Sequence, residues 1–155
     1  MCIRLRFGMP LRTGQCSGPE LAFSTIMTRP YVVLVADDDV LVRNLINAVL
    51  TRSGYSVLMA TDGQEALDMS RRYSGEIHLL LSDVVMPRMN GFKLAESIRE
   101  ERPGIRALLI SGRTSSEILA GNALFHFLSK PFVPAQLKAK LQQILSDGNP
   151  NAGEI

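Results

Sequence analysis

The sequence lacks the features that several classes of protein require. Its two cysteines, Cys2 and Cys16, stand near the start, so the rest of the chain can form neither a disulfide nor a cysteine-based metal site. That usage fits a reducing cytosol. No apolar run approaches the roughly 18 residues of a membrane span, and the first residues lack the continuous apolar segment of a secretory signal. We therefore expect a soluble, cytoplasmic protein.

The chain also lacks a marked excess of charge. Lys and Arg number 17 against 15 Asp and Glu, a formal net charge of +2. The excess is concentrated in residues 1–29, which hold four arginines and one glutamate, so 13 basic residues face 14 acidic ones from Pro30 onward. Binding to nucleic acid needs a basic surface. We therefore expect neither a nucleic-acid partner nor, given the absent apolar runs, a membrane partner.

Composition divides the chain into three parts. Residues 1–29 mix glycine, proline and arginine without a sustained period, which predicts a flexible arm. Because Met27 precedes the first predicted strand, the favoured interpretation is that translation starts there, and the alternative is a docking arm. Residues 30–147 are predicted to form one domain, for which a hydrophobic content of 46% provides a sufficient core. Residues 148–155 are predicted to be a tail.

From Tyr31 onward, windows typical of strands and of helices alternate five times. The predicted strands are short apolar runs at Tyr31–Ala36, Ser56–Thr61, Ile77–Ser82, Ile105–Ser111 and Phe125–Ser129. Apolar residues at helical spacing follow each run, and the predicted helices begin after Asp39, at Asp62, near Phe92, at Thr114 and at Pro134. Five such alternations predict an α/β fold, a doubly wound five-stranded parallel sheet with helices on both faces.

Polar residues stand where the predicted strands end. The carboxyl ends of parallel strands share one edge of the sheet, so these residues should converge there: Asp37, Asp38, Asp83, Ser111 and Lys130. Three close carboxylates repel one another unless a cation or protons separate them. Hard oxygen ligands without His or Cys favour Mg²⁺. Together with a lysine and a hydroxyl group, such a site suits a phosphoryl group.

These residues lie in motifs that resemble the receiver domains of response regulators in two-component signalling. In chain order the motifs are Val-Leu-Val-Ala-Asp37-Asp38-Asp39, Asp83-Val-Val-Met-Pro-Arg-Met-Asn-Gly91, Ile110-Ser111-Gly112 and Lys130-Pro131-Phe132. The resemblance covers about Tyr31 to Ser146. It implies a flavodoxin-like strand order of 2-1-3-4-5.

The resemblance assigns the metal and the phosphoryl group to particular residues. It implies that Asp83 is the phosphoacceptor and that Asp37 and Asp38 hold Mg²⁺ directly or through water. The backbone carbonyl of Val85 is implied as a further metal ligand. Asp39 lies outside this set and is expected to cap the following helix.

The resemblance also assigns residues that respond to the phosphoryl group. Ser111 matches the switch hydroxyl and Lys130 the lysine that pairs with a phosphoryl oxygen. Phe127 matches the switch aromatic, although a plain core role is equally compatible with its position. Val85 and Arg113 occupy positions that face the phosphoryl group in this family, and we expect them to tune how long it persists.

The implied function is signalling. The domain would catalyse its own phosphorylation, taking the group from a phosphohistidine on a sensor histidine kinase or phosphotransfer protein. Because no further domain is predicted after the last helix, we expect a stand-alone regulator that docks to a protein partner. The segment Thr114–Leu124 is short for the family's fourth helix, so the docking face should be unusual.

Three alternative functions fit the sequence less well. A receiver-fold interaction module that does not cycle phosphate is disfavoured by the intact set of Asp83, Ser111 and Lys130. An aspartyl-nucleophile phosphatase requires a second aspartate where Val85 stands. A flavin-binding relative requires a Ser/Thr-rich first loop, where this chain has three acids.

Overall fold

The described part of the chain, residues 30–112 and 125–147 of a computed structural model, forms a parallel sheet with helices on both sides. The strands are β1 Val32–Ala36, β2 Ser56–Ala60, β3 Leu79–Asp83, β4 Arg106–Ser111 and β5 His126–Ser129. The helices are α1 Val40–Arg52, α2 Gly63–Arg72, α3 Gly91–Glu101 and α4 Pro134–Ser146. All neighbouring strands pair in parallel, in the order β2-β1-β3-β4-β5. The predicted α/β fold and its order 2-1-3-4-5 are confirmed.

The predicted bounds of every strand agree with the structure to within two residues, as is usual for such assignments. β3 begins at Leu79 rather than at Ile77, although the amide of His78 already donates to the carbonyl of Val32 at 2.9 Å. The helix predicted at Thr114, the arm at 1–29 and the tail at 148–155 lie outside the described residues.

Side chains alternate between two cores, one on each face of the sheet. In β1, Leu34 packs with residues of α2 and α3, whereas Val33 and Val35 pack with residues of α1 and α4. In β3 the same alternation places Leu80 on the first face and Leu81 on the second. Successive side chains of a strand point to opposite faces, so strands covered on both sides must be apolar throughout. This explains why β1 and the first three residues of β3 are continuously apolar.

A polar side chain or a proline marks the start of each helix. Asp39 accepts hydrogen bonds from the amides of Leu41 and Val42, which confirms the predicted cap of α1. Asp62 caps α2 and Asn90 caps α3 in the same way. Pro134 begins α4, where its missing N–H is not needed. Since every helix starts soon after a strand, these caps lie toward the edge where the strands end.

The far ends of α2 and α3 are joined by Arg102. Its guanidinium donates to the Ser70 hydroxyl at 3.1 Å and to the carbonyls of Ser70, Tyr73 and Gly75 at 2.7 to 2.9 Å. Carbonyls at a helix C-terminus have no partner within the helix. Arg102 therefore satisfies the end of α2 from the end of α3.

None of the helices in the described part of the chain combines the length and the apolar character that crossing a membrane requires.

His126, the first residue of β5, is expected to make the stability of the fold depend on pH. Its pKa lies below the ordinary value of 6.5, chiefly because burial disfavours the charged ring and also because Lys140 and Arg106 repel it. Between the lowered pKa and 6.5 the unfolded chain binds more protons, so the free energy of unfolding falls as the pH is lowered through this window. Urea unfolding from about pH 7.5 to about pH 5.5 should show a smaller loss for His126→Gln than for the wild type. Equal losses in the two proteins would contradict this assignment.

Candidate functional site

The site is built on the end of β1, where the chain turns from strand to helix. Asp37 is fully buried, and its Oδ1 accepts the amide of Asp39 at 2.8 Å. Burial raises the pKa of the Asp37 carboxyl, an effect that the Asp39 amide and the Lys130 ammonium oppose. Arg43, on the first turn of α1, donates to the Asp37 carbonyl at 2.7 Å. Hydrogen bonds therefore hold both the carboxylate and the backbone carbonyl of Asp37.

A second carboxylate and a lysine arrive from β3 and β5. Asp83, the last residue of β3, is 8% exposed. The Nζ of Lys130 lies 3.3 Å from Asp83 Oδ2 and 3.6 Å from Asp37 Oδ2. Lys130 directly follows β5, and its own amide donates to the Ser111 carbonyl at 2.8 Å. One ammonium group thus bridges two carboxylates that come from different strands.

Three carboxylates form what we call the acidic cluster: Asp37, Asp38 and Asp83. One oxygen atom of each can be chosen so that all three lie within 4.8 Å of one another, while Asp38 remains exposed to solvent. Among the described residues, Asp37 Oδ2 is a buried side-chain oxygen that accepts no hydrogen bond. A buried oxygen that accepts no hydrogen bond is costly, and a hard cation satisfies it. The donor set therefore fits Mg²⁺.

The two residues predicted to respond to the phosphoryl group lie on β4 and β5. Ser111 ends β4 and is 5% exposed. Phe127 is half-buried in β5, and its ring centroid lies 6.1 Å from that of Phe92 on α3. The structure thus brings Ser111 to the same edge as Lys130, and it places Phe127 between the core and the surface.

Of the two residues predicted to tune how long the phosphoryl group persists, the structure describes Val85 but not Arg113. Val85 follows Asp83 by two residues, exposes 69% of its surface and donates its amide to Asp83 Oδ1 at 3.4 Å. Arg113 lies outside the described residues, so its role stays a prediction.

Two glycines outside the loop between β3 and α3, residues 84–90, lie very close to the backbone at or near that loop. A Cβ on Gly91 would lie 2.3 Å from the carbonyl oxygen of Asp83, and one on Gly63 would lie 2.7 Å from that of Met89. Arg88, in the middle of the loop, has a left-handed backbone with φ of 67° and forms an ion pair with Asp62.

The sequence did not single out Arg43 or Arg88, although both contact residues at this edge. Arg43 donates a hydrogen bond to a backbone carbonyl, and no sequence pattern indicates a contact of that kind. Arg88 lies 26 residues from Asp62, so the contact depends on the tertiary fold. The positive φ could have been suspected because Arg88 belongs to a run between Pro87 and Gly91 that has the composition of a turn.

Comparison with known protein families gives one match over most of the described chain. Residues 33–142 match the family model described as the response regulator receiver domain. That range includes the acidic cluster, Ser111 and Lys130.

Curated relatives include whole signalling proteins that are longer than this chain. The sequence is 36% identical to "Sensor kinase CckA" of Brucella abortus (strain 2308) over 117 residues, which are 74% of this chain and 12% of the kinase. It is 35% identical to "Response regulator MprA" of Mycolicibacterium vanbaalenii over 127 residues, 80% of this chain and 54% of the regulator. The chain thus spans about an eighth of the first relative and about half of the second.

Solved structures with the same fold are single domains of matching size. The Vibrio cholerae chemotaxis protein CheY4 has a TM-score of 0.70 and 30% identity, and the match covers 76% of this chain and 100% of that one. The receiver domain from the hybrid histidine kinase CckA has a TM-score of 0.64 and 32% identity, covering 74% of this chain and 98% of that one.

Proposed function

This chain belongs to the family of response regulator receiver domains, and on that basis we propose that it accepts a phosphoryl group on Asp83 from a phosphohistidine donor. The donor would be a sensor histidine kinase or a phosphotransfer protein, and the phosphorylated domain would dock to a protein partner in the cytoplasm. The observation that supports this most directly is the contact of Lys130 with both Asp37 and Asp83, where the contacted Oδ2 of Asp37 is buried and accepts no hydrogen bond.

In the proposed reaction, a carboxylate oxygen of Asp83 attacks the phosphorus in line with the bond to the histidine nitrogen. The new P–O bond gives an acyl phosphate, and the electron pair of the broken P–N bond leaves with the imidazole. Lys130, already 3.3 Å from Asp83 Oδ2, would pair with the charge on the transferred group.

The metal would be held at the same edge. Asp37, Asp38, Asp83 and the carbonyl of Val85 would hold Mg²⁺, which when bound supplies positive charge to the phosphoryl oxygens. The Ser111 hydroxyl, at the end of β4, would donate a hydrogen bond to one of those oxygens. Movement of Ser111 toward the phosphoryl group would alter the face near β5, where Phe127 is half-buried.

Intact mass spectrometry tests this proposal. With Mg²⁺ and acetyl phosphate, the wild type should gain the mass of one phosphoryl group, and Asp83→Asn should gain none. Asp39→Asn is the matched control, because Asn caps a helix as well as Asp does and residue 39 lies outside the acidic cluster. It should still gain one phosphoryl group. An unmodified wild type, or a modified Asp83→Asn, overturns the proposal, and an unmodified wild type favours the phosphorylation-independent interaction module instead.

Val85 is proposed to prolong the phosphorylated state. Its exposed side chain is apolar and cannot hydrogen-bond a water molecule that attacks the acyl phosphate. Val85→Asn supplies such a group and should speed loss of the phosphoryl group by roughly tenfold, measured as decay of the phosphorylated mass after acetyl phosphate is removed. Val85→Ala remains apolar and should decay as the wild type does. Unchanged or slower decay in Val85→Asn would show that this assignment is wrong.

A further inference from the structure

The backbone of the loop at 84–90 is held to the rest of the protein mainly at its two ends. The amide of Val84 donates to the carbonyl of Ile110 at 2.9 Å, and the amide of Gly91 donates back to the carbonyl of Val84 at 3.0 Å. Between these ends, the described backbone hydrogen bond runs from Met89 to Pro87, which is local. Side chains must therefore determine where the middle of the loop lies.

Two kinds of side-chain contact hold the middle of the loop. Met86 is buried and Met89 packs beside it in one core, but apolar contacts have little directional preference. Arg88 adds a directional contact, since its Nη2 donates to Asp62 Oδ2. Arg88 thus ties the loop to the start of α2, whereas the side chain of Asn90 contacts α3, the helix that directly follows the loop.

Asp62 is a fixed point for that contact. Its side chain is only 5% exposed, and its Oδ1 accepts the amide of Glu65 at 2.9 Å as the cap of α2. This amide, together with Arg88, lowers the pKa of the Asp62 carboxyl, so the carboxylate is charged at neutral pH. Because Asp62 cannot move without uncapping the helix, Arg88 is tied to the body of the domain.

The backbone of Arg88 adopts a left-handed conformation, which residues with a Cβ disfavour. A φ of 67° is disfavoured for a residue with a Cβ by roughly 1 kcal/mol, and such a conformation persists only where the surroundings hold it. The ion pair with Asp62 and the close contact between Gly63 and Met89 provide those surroundings. The conformation of the loop and the ion pair are therefore coupled.

We propose that Arg88 is a positioning residue for the metal site. Through Asp62 it fixes the loop that carries Val85, and so holds the Val85 carbonyl in place beside the acidic cluster. The inference rests on the proposed function, since the role of that carbonyl is part of it. Residues that orient metal ligands typically alter metal affinity when they are replaced.

Three variants separate this role from a contribution to stability alone. Arg88→Asn removes the charge but keeps a residue that tolerates positive φ. Asp62→Asn keeps a good helix cap but removes the charge that Arg88 binds. Arg88→Lys keeps the charge and is the conservative variant. For each, Mg²⁺ affinity is measured by calorimetry, and unfolding in urea is measured without Mg²⁺.

We expect Mg²⁺ affinity to fall about tenfold in Arg88→Asn and in Asp62→Asn. The affinity of Arg88→Lys should lie closer to that of the wild type. The double variant should bind Mg²⁺ no more weakly than either single variant, because both remove one interaction. If both single variants bind Mg²⁺ as the wild type does, the inference is overturned, whether or not their unfolding in urea changes.

The wild type distinguishes failure of this inference from failure of the proposed function. A wild type that binds Mg²⁺ and accepts phosphate, beside single variants of unchanged Mg²⁺ affinity, overturns the role of Arg88 alone. A wild type that binds no Mg²⁺ overturns both.

Discussion

Replacing Gly91 with alanine is expected to destabilise the fold and to displace Asp83 in the same step. The new Cβ would lie 2.3 Å from the Asp83 carbonyl oxygen and 3.0 Å from its carbonyl carbon, with Ser82 Oγ at 3.1 Å. Both closest atoms belong to the backbone of a buried strand, so no flexible side chain can move aside. Either α3 or the end of β3 must shift. Overpacking of this kind costs about 1–3 kcal/mol, and the absence of any yielding atom places Gly91→Ala at the upper end.

Gly104→Ala is the matched control for that substitution. A Cβ on Gly104 meets nothing within 4 Å, so its stability should stay near that of the wild type. Urea unfolding gives the two free energies, and uptake of phosphate from acetyl phosphate reports on Asp83. A Gly91→Ala protein with the stability and phosphate uptake of the wild type would show that the contact between α3 and β3 is looser than described.

If the acidic cluster holds Mg²⁺ as proposed, Mg²⁺ should stabilise the wild type, and Asp37→Asn is expected to abolish that gain. A ligand present at one hundred times its Kd stabilises a folded protein by about 2.7 kcal/mol. Asn offers one neutral oxygen in place of a charged carboxylate. The acidic cluster would therefore lose one of its three negative charges, at Asp37, which is fully buried. We expect no measurable stabilisation of Asp37→Asn at the same Mg²⁺ concentration.

Without Mg²⁺ the same substitution should raise the free energy of unfolding at neutral pH. Burial, Asp83 and Asp38 all disfavour a charge on Asp37, and only the Asp39 amide and Lys130 favour it. The effects that disfavour the charge prevail, since the pKa of Asp37 is raised. Removing the charge should therefore stabilise the folded protein. Thermal or urea unfolding with and without Mg²⁺ measures both expectations, and Asp39→Asn is the control for removing an acid from the same turn. A variant that still gains stability from Mg²⁺ would contradict the assignment of Asp37 to the metal.

Much of the fold could be predicted because its strands are covered on both faces. β1 is apolar at every position and β3 is apolar over its first three residues, and such continuity is typical of a strand between two layers of helices. The convergence of Asp37, Asp83 and Lys130 could be predicted for a related reason. Each ends or directly follows a parallel strand, and topology alone brings such residues to one edge.

The contacts that hold this edge in place could not be predicted. The link from Arg88 to Asp62 depends on how the loop at 84–90 lies against α2, which packing determines. The contact of Arg43 with the Asp37 carbonyl depends on the direction in which α1 leaves β1. Periodicity and spacing describe elements, whereas these contacts arise between elements.

The caps described for the helices have an electrostatic consequence for the edge that carries the acidic cluster. The N-terminus of a helix bears a partial positive charge of about half a unit, because its first amides point outward and have no partner within the helix. α1, α2, α3 and α4 all begin shortly after a strand ends, so their positive ends face the same side of the sheet as the carboxylates. The potential there is less negative than three carboxylates alone would produce. Any anion that approaches this edge, such as the phosphoryl group of the proposed reaction, therefore meets less repulsion than a count of acidic side chains suggests.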